Sequence, residues 1–452
     1  MTSFDGKTLG WLGIVRLGLV QTSLGAIVVL TTSTLNRVMV VELALPAVLP
    51  GFLVALHYLV QLSRPRFGYA SDTGRRRTPW IIGGMALLGL GGALAAAATA
   101  IMSTATVPGI ALAIIAFVMI GAGVGASGTC LLVLLATGVV PERRAAAASI
   151  TWIMMIAGFA VTAGVVGALL DPFSFARLIS ISSSVSVIAL IVTIFALWGL
   201  EKRIEPLAAK QTPAPRDAAA GASSFREALR DVIAEAHTRR FAIFVFVSML
   251  AYSAQDLVLE PFAGAVFNLT PGESTQLGGT QHGGVLLGML LVAFVGSRFS
   301  ASRPTILRQC MVAGCIVSAI LLAALAVSGY VDGPWPLAAN VFALGIANGA
   351  FAVAAIGSMM GLVAKGRENR SGMRMGIWGA AQAMAFALGG IVGTLSVDAI
   401  RLITGSALHA YALVFIMQAA LFAAAVLLAV RVVQQGRMLP AGSGPALETK
   451  AS

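Results

Sequence analysis

The sequence predicts an all-α integral membrane protein with twelve transmembrane helices in two six-helix halves. Three observations carry the prediction. Of 452 residues, 58% are hydrophobic and 11% charged, with a mean hydropathy of +0.91, whereas soluble domains are about 25% charged. Apolar runs long enough to span a bilayer recur twelve times. Basic residues gather at the ends of alternate runs, as they do in cytoplasmic loops.

The net charge of +12 follows from that placement and from no basic face of the kind nucleic acid needs, so nucleic acid is excluded as a partner. The 50 glycines suit close helix packing in lipid. Cys130, Cys310 and Cys315 lie in or beside apolar runs without metal spacing or a paired framework, and read as small buried residues.

A helix needs about 20 apolar residues to cross the hydrocarbon core. The runs cover 12–38, 45–62, 80–102, 107–134, 145–170, 178–200, 241–267, 283–295, 306–327, 336–363, 375–397 and 407–430. The first follows a short polar lead and has no small-residue cleavage site after it, so it reads as an uncleaved span. The eighth is the weakest, being glycine-rich and preceded by Gln281 and His282.

The stretch 61–80, QLSRPRFGYASDTGRRRTPW, sets the sidedness. Its Arg64, Arg66, Arg75, Arg76 and Arg77 make it cytoplasmic, which puts both termini on the same side. Of the 30 Lys and Arg, only Arg37, Arg177 and Arg401 then fall outside.

Residues 1–200 form the first half and 241–431 the second. Between them, 201–240 is a cytoplasmic linker. It starts rich in Ala and Pro, then offers Ser224 and Glu227 as a capping box. Phe225, Leu229, Val232 and Ile233 share one face, so an amphipathic helix at the membrane surface is expected. The basic loop 296–308 repeats the position of 61–80, which points to parallel halves. The tail 432–452 is polar and expected to be disordered.

Polar residues at membrane depth are functional candidates. The first span ends TTSTLNRVMVVEL, with Arg37 and Glu42 near the outer surface; Arg37 is either a site residue or a helix-end arginine snorkelling to water. The seventh holds YSAQDLVLEPFAGAVF. There Gln255 precedes Asp256, and Asp256 and Glu260 share a helical face at i,i+4, with Pro261 set to kink the helix and Arg16 of the first span as a candidate partner. In the eleventh, Trp378 and Gln382 share a face that either lines a cavity or packs in the core. His57, inside the second span, is either an axial ligand to a chlorin magnesium or a hydrogen-bonding group. His282 and His409 are expected at span ends in interfacial roles. No other metal site is indicated.

In the loop 61–80, Gly68, Asp72, Gly74, Arg75 and Arg76 resemble the gating loop of the major facilitator superfamily, in which a carboxylate pairs with arginines and caps helix ends. One residue separates Asp72 from Gly74 where the superfamily has two. Taken together, TLNRVMVVEL, RPRFGYASDTGRRR, QDLVLEPFAGAVF and GIWGAAQAMAFALGG resemble the PucC and LhaA group, a branch of that superfamily in phototrophic bacteria tied to bacteriochlorophyll delivery. The short loop looks more like the relative encoded among bacteriochlorophyll biosynthesis genes. The resemblance implies a major-facilitator-like fold in the intracytoplasmic photosynthetic membrane. It implies bacteriochlorophyll as cargo rather than a resident cofactor, and antenna polypeptides, lipid and a bacteriochlorophyll synthase as partners, with self-association open.

Three functions compete. A pigment-handling assembly factor needs an apolar cleft. A proton-coupled transporter of a small solute would use Asp256 and Glu260 for coupling. A prenyltransferase attaching the pigment's tail would need clustered aspartates for Mg²⁺ and diphosphate. The 18 acids contain no DxxD or DxxxD pair, and neither a Walker loop nor a nucleophile elbow with a triad is present, so an enzyme is not expected.

Overall fold

The computed structural model describes residues 8–63, 76–140, 143–201, 236–299, 305–331, 333–365 and 371–434. Among these, helices fill the apolar runs in order: α1 Trp11–Glu42, α2 Val48–Ser63, α3 Thr78–Met102, α4 Thr106–Gly138, α5 Arg144–Leu170, α6 Phe175–Leu197, α7 Ala236–Phe267, α8 Pro271–Phe299, α9 Ile306–Ser328, α10 Leu337–Lys365, α11 Ser371–Thr404 and α12 Ala407–Gln434. Eleven are long and apolar enough to cross a membrane, and α2 is shorter. The surface helix expected at 225–233 and the tail from 435 lie outside the described residues.

Several helices outrun their apolar segments, α1 and α8 among them. The apolar run of α1 reaches 38, and the helix, with Asn36 and Arg37 inside it, continues to Glu42. It does so because these polar side chains find partners inside the bundle, so hydration need not end the helix. Wider π-type turns occupy Leu30–Thr34 and Val38–Glu42, a device common at functional sites. Ala44, with φ 49°, lies just beyond the end of α1. α8 was expected only from 283, yet it starts at Pro271. Its start is a complete capping box: the Thr270 amide donates to the Glu273 carboxylate at 2.9 Å, and the Glu273 amide donates to the Thr270 hydroxyl at 3.1 Å. Pro271 fits the first helical position.

The packing repeats with a shift of six. α1 lies on α5 and α6, α3 on α4 and α6, and α2 on α4. Correspondingly α7 lies on α11 and α12, α9 on α10 and α12, and α8 on α10. The halves meet through α2 against α11 and α5 against α8, two contacts related by the same shift. This is the arrangement of parallel repeats. Each half has its own apolar core, but Leu257 joins the first, while Val40 and Ala47 join the second. The crossing of α1 and α7 therefore interlocks the halves.

Glycines set the closest approach. A Cβ at Gly284 would come within 2.2 Å of the Phe342 carbonyl, and one at Gly349 within 2.1 Å of the Val285 carbonyl. Small residues thus let α8 and α10 touch backbone to backbone.

Arg16 does not partner the α7 carboxylates, as the sequence suggested. It donates to the carbonyls of Ala196 at 2.8 Å and Trp198 at 2.5 Å. A cation there completes the carbonyl end of α6. Arg16 lies early in α1 and Glu260 late in α7, at opposite ends of the bundle.

Candidate functional site

Odd-numbered helices finish, and even-numbered ones begin, at the end of the bundle marked by Glu42. There α1, α7 and α8 converge. Arg37 is 2% exposed and pairs with Glu42, which is 33% exposed. Its Nε donates to the Ser274 hydroxyl at 3.1 Å and its Nη2 to the Leu269 carbonyl at 2.6 Å. The guanidinium lies against Gly264, where a Cβ would meet it at 2.9 Å, so the motif glycine makes room for the charge. Arg37 therefore does not snorkel; one planar cation ties α1 to both α7 and α8.

Glu260, 2% exposed, is one turn from Gly264. It accepts from the Ser33 hydroxyl at 2.6 Å, and Gly278 of α8 packs against its carboxylate. Asn36 donates to the Leu257 carbonyl at 2.7 Å, and Thr275 meets Thr34 at 3.3 Å. Asp256 is one turn further into the bundle, facing Gln281 of α8. Gln255 turns the other way. It accepts from Asn348 at 3.1 Å, and Asn348 accepts from Ser318 at 2.9 Å. Four buried polar atoms on this face have no hydrogen-bond partner of ordinary geometry: Asn36 Oδ1, Asp256 Oδ1, Glu260 Oε2 and Gln281 Nε2. Buried polar atoms are normally paired, so this concentration marks a site built for something else to enter.

Two carboxylates close the same end across the halves. Asp398 of α11 accepts from the Ala47 and Val48 amides at 2.9 and 2.7 Å, capping α2. Asp171, after α5, accepts from the Thr270 hydroxyl at 2.7 Å and the Gly272 amide at 3.3 Å, capping α8. The two caps are related by the same six-helix shift, and each places a negative charge on a helix N-terminus. Near Arg76, at the other end, Glu201 caps α3 through the Arg77 and Thr78 amides at 2.5 and 2.9 Å.

Towards mid-bundle is a group that sequence reasoning missed. Tyr58 of α2 and Phe386 of α11 have ring centroids 5.4 Å apart, and Tyr252 of α7 lies 6.1 Å from Phe386. All three are half-buried. Tyr252 precedes Asp256 by four residues, the one local signal available.

His57 is 0% exposed. Its Nε2 lies 2.5 Å from the Gln61 amide nitrogen, its ring is 4.7 Å from Tyr58, and its backbone packs on Gly121. The imidazole thus bonds its own next turn, and the His57 backbone packs on α4. His282 is not interfacial. It is 7% exposed within α8, bonded to the Gly278 carbonyl at 2.8 Å and edge-on to Phe159 at 5.1 Å. His409 is exposed beside Tyr330. Gln382 is half-buried on α11, and Arg76 is exposed. The Trp378 side chain, Gly68, Asp72, Gly74 and Arg75 lie outside the described residues. Cys130 and Cys315 are buried and Cys310 is half-buried, and none of the three forms a disulfide.

Residues 34–437 match the family model described as PUCC protein. A protein of Rhodobacter capsulatus named bacteriochlorophyll synthase 44.5 kDa chain is 51% identical over 426 residues, 94% of this chain and 96% of that one. Protein PucC of the same species is 28% identical over 444 residues, 94% and 92% of the two chains. Among solved structures, a bacterial homologue of the human lysosomal transporter Spinster, described as inward-facing and occupied, superposes with a TM-score of 0.68 at 13% identity, covering 93% of this chain and 96% of that one. The fold is thus of the major facilitator type.

Proposed function

Since the chain belongs to the PUCC protein family, we propose that it binds bacteriochlorophyll inside the membrane and hands it to nascent light-harvesting polypeptides. In this role it is an accessory to pigment synthesis and not a catalyst of it. The observation that carries the reading is kinship along nearly the whole chain with a protein named as a bacteriochlorophyll synthase chain.

The disposition of the acids supports the non-catalytic part. Attaching a prenyl tail from a diphosphate calls for converging carboxylates around Mg²⁺. Here Asp171, Glu201, Glu273 and Asp398 cap helices, and Glu42 neutralises Arg37. Among the described residues no group of three or more His, Cys, Asp and Glu converges. Asp256 and Glu260 of α7, with Gln281 of α8 facing Asp256, are left to face a cargo, while Arg37 and Glu42 hold the end beyond them shut. The protein sits in the photosynthetic inner membrane with the Arg76 end and both termini cytoplasmic, so cargo enters from the cytoplasmic leaflet.

The test is to express the chain in a bacteriochlorophyll-producing host, purify it in mild detergent and record its absorption spectrum. Pigment near one per chain is expected, and a colourless protein would overturn the proposal. A second reading is favoured by one observation: Asp256 and Glu260 share a face of α7 and each keeps an unpartnered oxygen, as coupling carboxylates in a proton-driven transporter would. Proton-driven uptake of a solute into vesicles, abolished when both are neutralised, would establish it; uptake undiminished by that change would remove it.

A further inference from the structure

We propose that Tyr58, Tyr252 and Phe386 form the wall of a binding site for a planar conjugated macrocycle, with Asp256 and Gln281 receiving its polar rim. The proposal rests on the pigment-handling reading and gives it a place.

The wall is drawn from both halves. Tyr58 belongs to α2, Tyr252 to α7 and Phe386 to α11, at the point where α2 packs on α11. Their rings meet at interplanar angles of 52° and 59°, so they do not stack face on face and cover one another. A flat π-system can lie against them, and aromatic contacts of this kind add to the gain from burial. Tyr252 and Asp256 are four residues apart on α7 and therefore share a helical face. The wall and the polar pair border one region, about 6 Å apart along the helix at 1.5 Å per residue.

The polar pair has what a macrocycle rim needs. Gln281 is 3% exposed, and its amide nitrogen faces the Asp256 carboxylate without a hydrogen bond of ordinary geometry. Asp256 keeps one carboxylate oxygen unpartnered. Peripheral ketone and ester carbonyls of a tetrapyrrole accept hydrogen bonds, and the Gln281 N–H suits one of them. The Glu42 end beyond is closed by Arg37 and by the Asp171 and Asp398 caps, so the ligand stops at mid-bundle. Because Tyr58 and Phe386 lie on opposite halves, separating the halves takes the wall apart, and release follows from the same motion.

The purified full chain in detergent is titrated with bacteriochlorophyll, and affinity is read from the pigment's absorption shift. Phe386→Leu and Tyr252→Ala should each weaken binding about tenfold, as the loss of one aromatic partner does. Tyr330→Ala, whose ring lies beside His409 away from the wall, should bind as the parent. In Gln281→Leu, resonance Raman should show a peripheral carbonyl stretch of the bound pigment moving to the frequency of a free carbonyl. This spectroscopic readout does not depend on equal stability among variants. Tight binding by the parent with unchanged affinity in Phe386→Leu and Tyr252→Ala and an unchanged carbonyl frequency in Gln281→Leu would overturn the site and leave the pigment-handling reading intact. A parent that binds no pigment would overturn both.

Discussion

Removing both partners of the Arg37–Glu42 pair should cost little more than removing either one. Arg37→Met deletes three hydrogen bonds, to Glu42, Ser274 Oγ and Leu269 O. Ser274 keeps its bond to the Thr270 carbonyl at 2.9 Å, and Glu42, 33% exposed, regains water. The charged bond and two neutral ones together make the loss about 3 kcal/mol. Glu42→Ala instead strands a guanidinium that is 2% exposed, at a cost of about 3 kcal/mol even with its two neutral acceptors kept. The double variant strands no charge and should lose about 3 to 4 kcal/mol, leaving a coupling of about 2 to 3 kcal/mol. The assay is unfolding in mixed micelles as the SDS fraction rises, with helicity followed by circular dichroism across the four proteins of the cycle. Additive losses, or single variants as stable as the parent, would refute the buried tie.

Three further outcomes follow from the packing and the caps. Gly284→Ala drives a methyl against the Phe342 carbonyl and should lower stability by about 1 to 3 kcal/mol, whereas Gly283→Ala next to it meets nothing within 4 Å and should be neutral or slightly stabilising in the same assay. Asp398→Ala and Asp171→Ala should each cost about 1 kcal/mol as lost caps and should add, and a cysteine placed at Ser33 should react faster with a membrane-impermeant thiol reagent from the Glu42 side in the double variant; unchanged reactivity would refute their closing role. His57→Leu should lower thermal stability without reducing bound pigment, since the imidazole has no exposed face; loss of pigment from a folded variant would restore the axial-ligand role.

Twelve helices, their order and the six-helix repeat are legible in hydropathy because an apolar run of span length has one inexpensive solution in lipid. The same logic misplaces α1 and α8. A window average treats Asn36, Arg37, Gln281 and His282 as span ends, whereas the fold supplies partners for them within the membrane. The start of α8 was readable: Thr270-Pro271-Gly272-Glu273 is a local capping pattern, and it forms. The caps by Asp171 and Asp398 were not, since each acid lies about 100 to 350 residues from the amide it serves and long-range pairing leaves no local trace. Arg16 was assigned by helix number alone; position along the helix separates it from Glu260. The α7 carboxylates stood out because charges are rare in spans. The aromatic wall did not, because Tyr58, Tyr252 and Phe386 are ordinary members of apolar runs until α2, α7 and α11 are brought together.

Transfer of pigment tests the central claim most directly. The purified protein, loaded with bacteriochlorophyll, is mixed in detergent with pigment-free antenna polypeptides, and the red-shifted absorption of assembled antenna is followed in time. Antenna absorption should grow faster from the loaded protein than from the same amount of pigment in micelles, while the protein's own pigment band falls in step. Growth no faster than from free pigment, with the protein's band unchanged, would contradict a role in delivery.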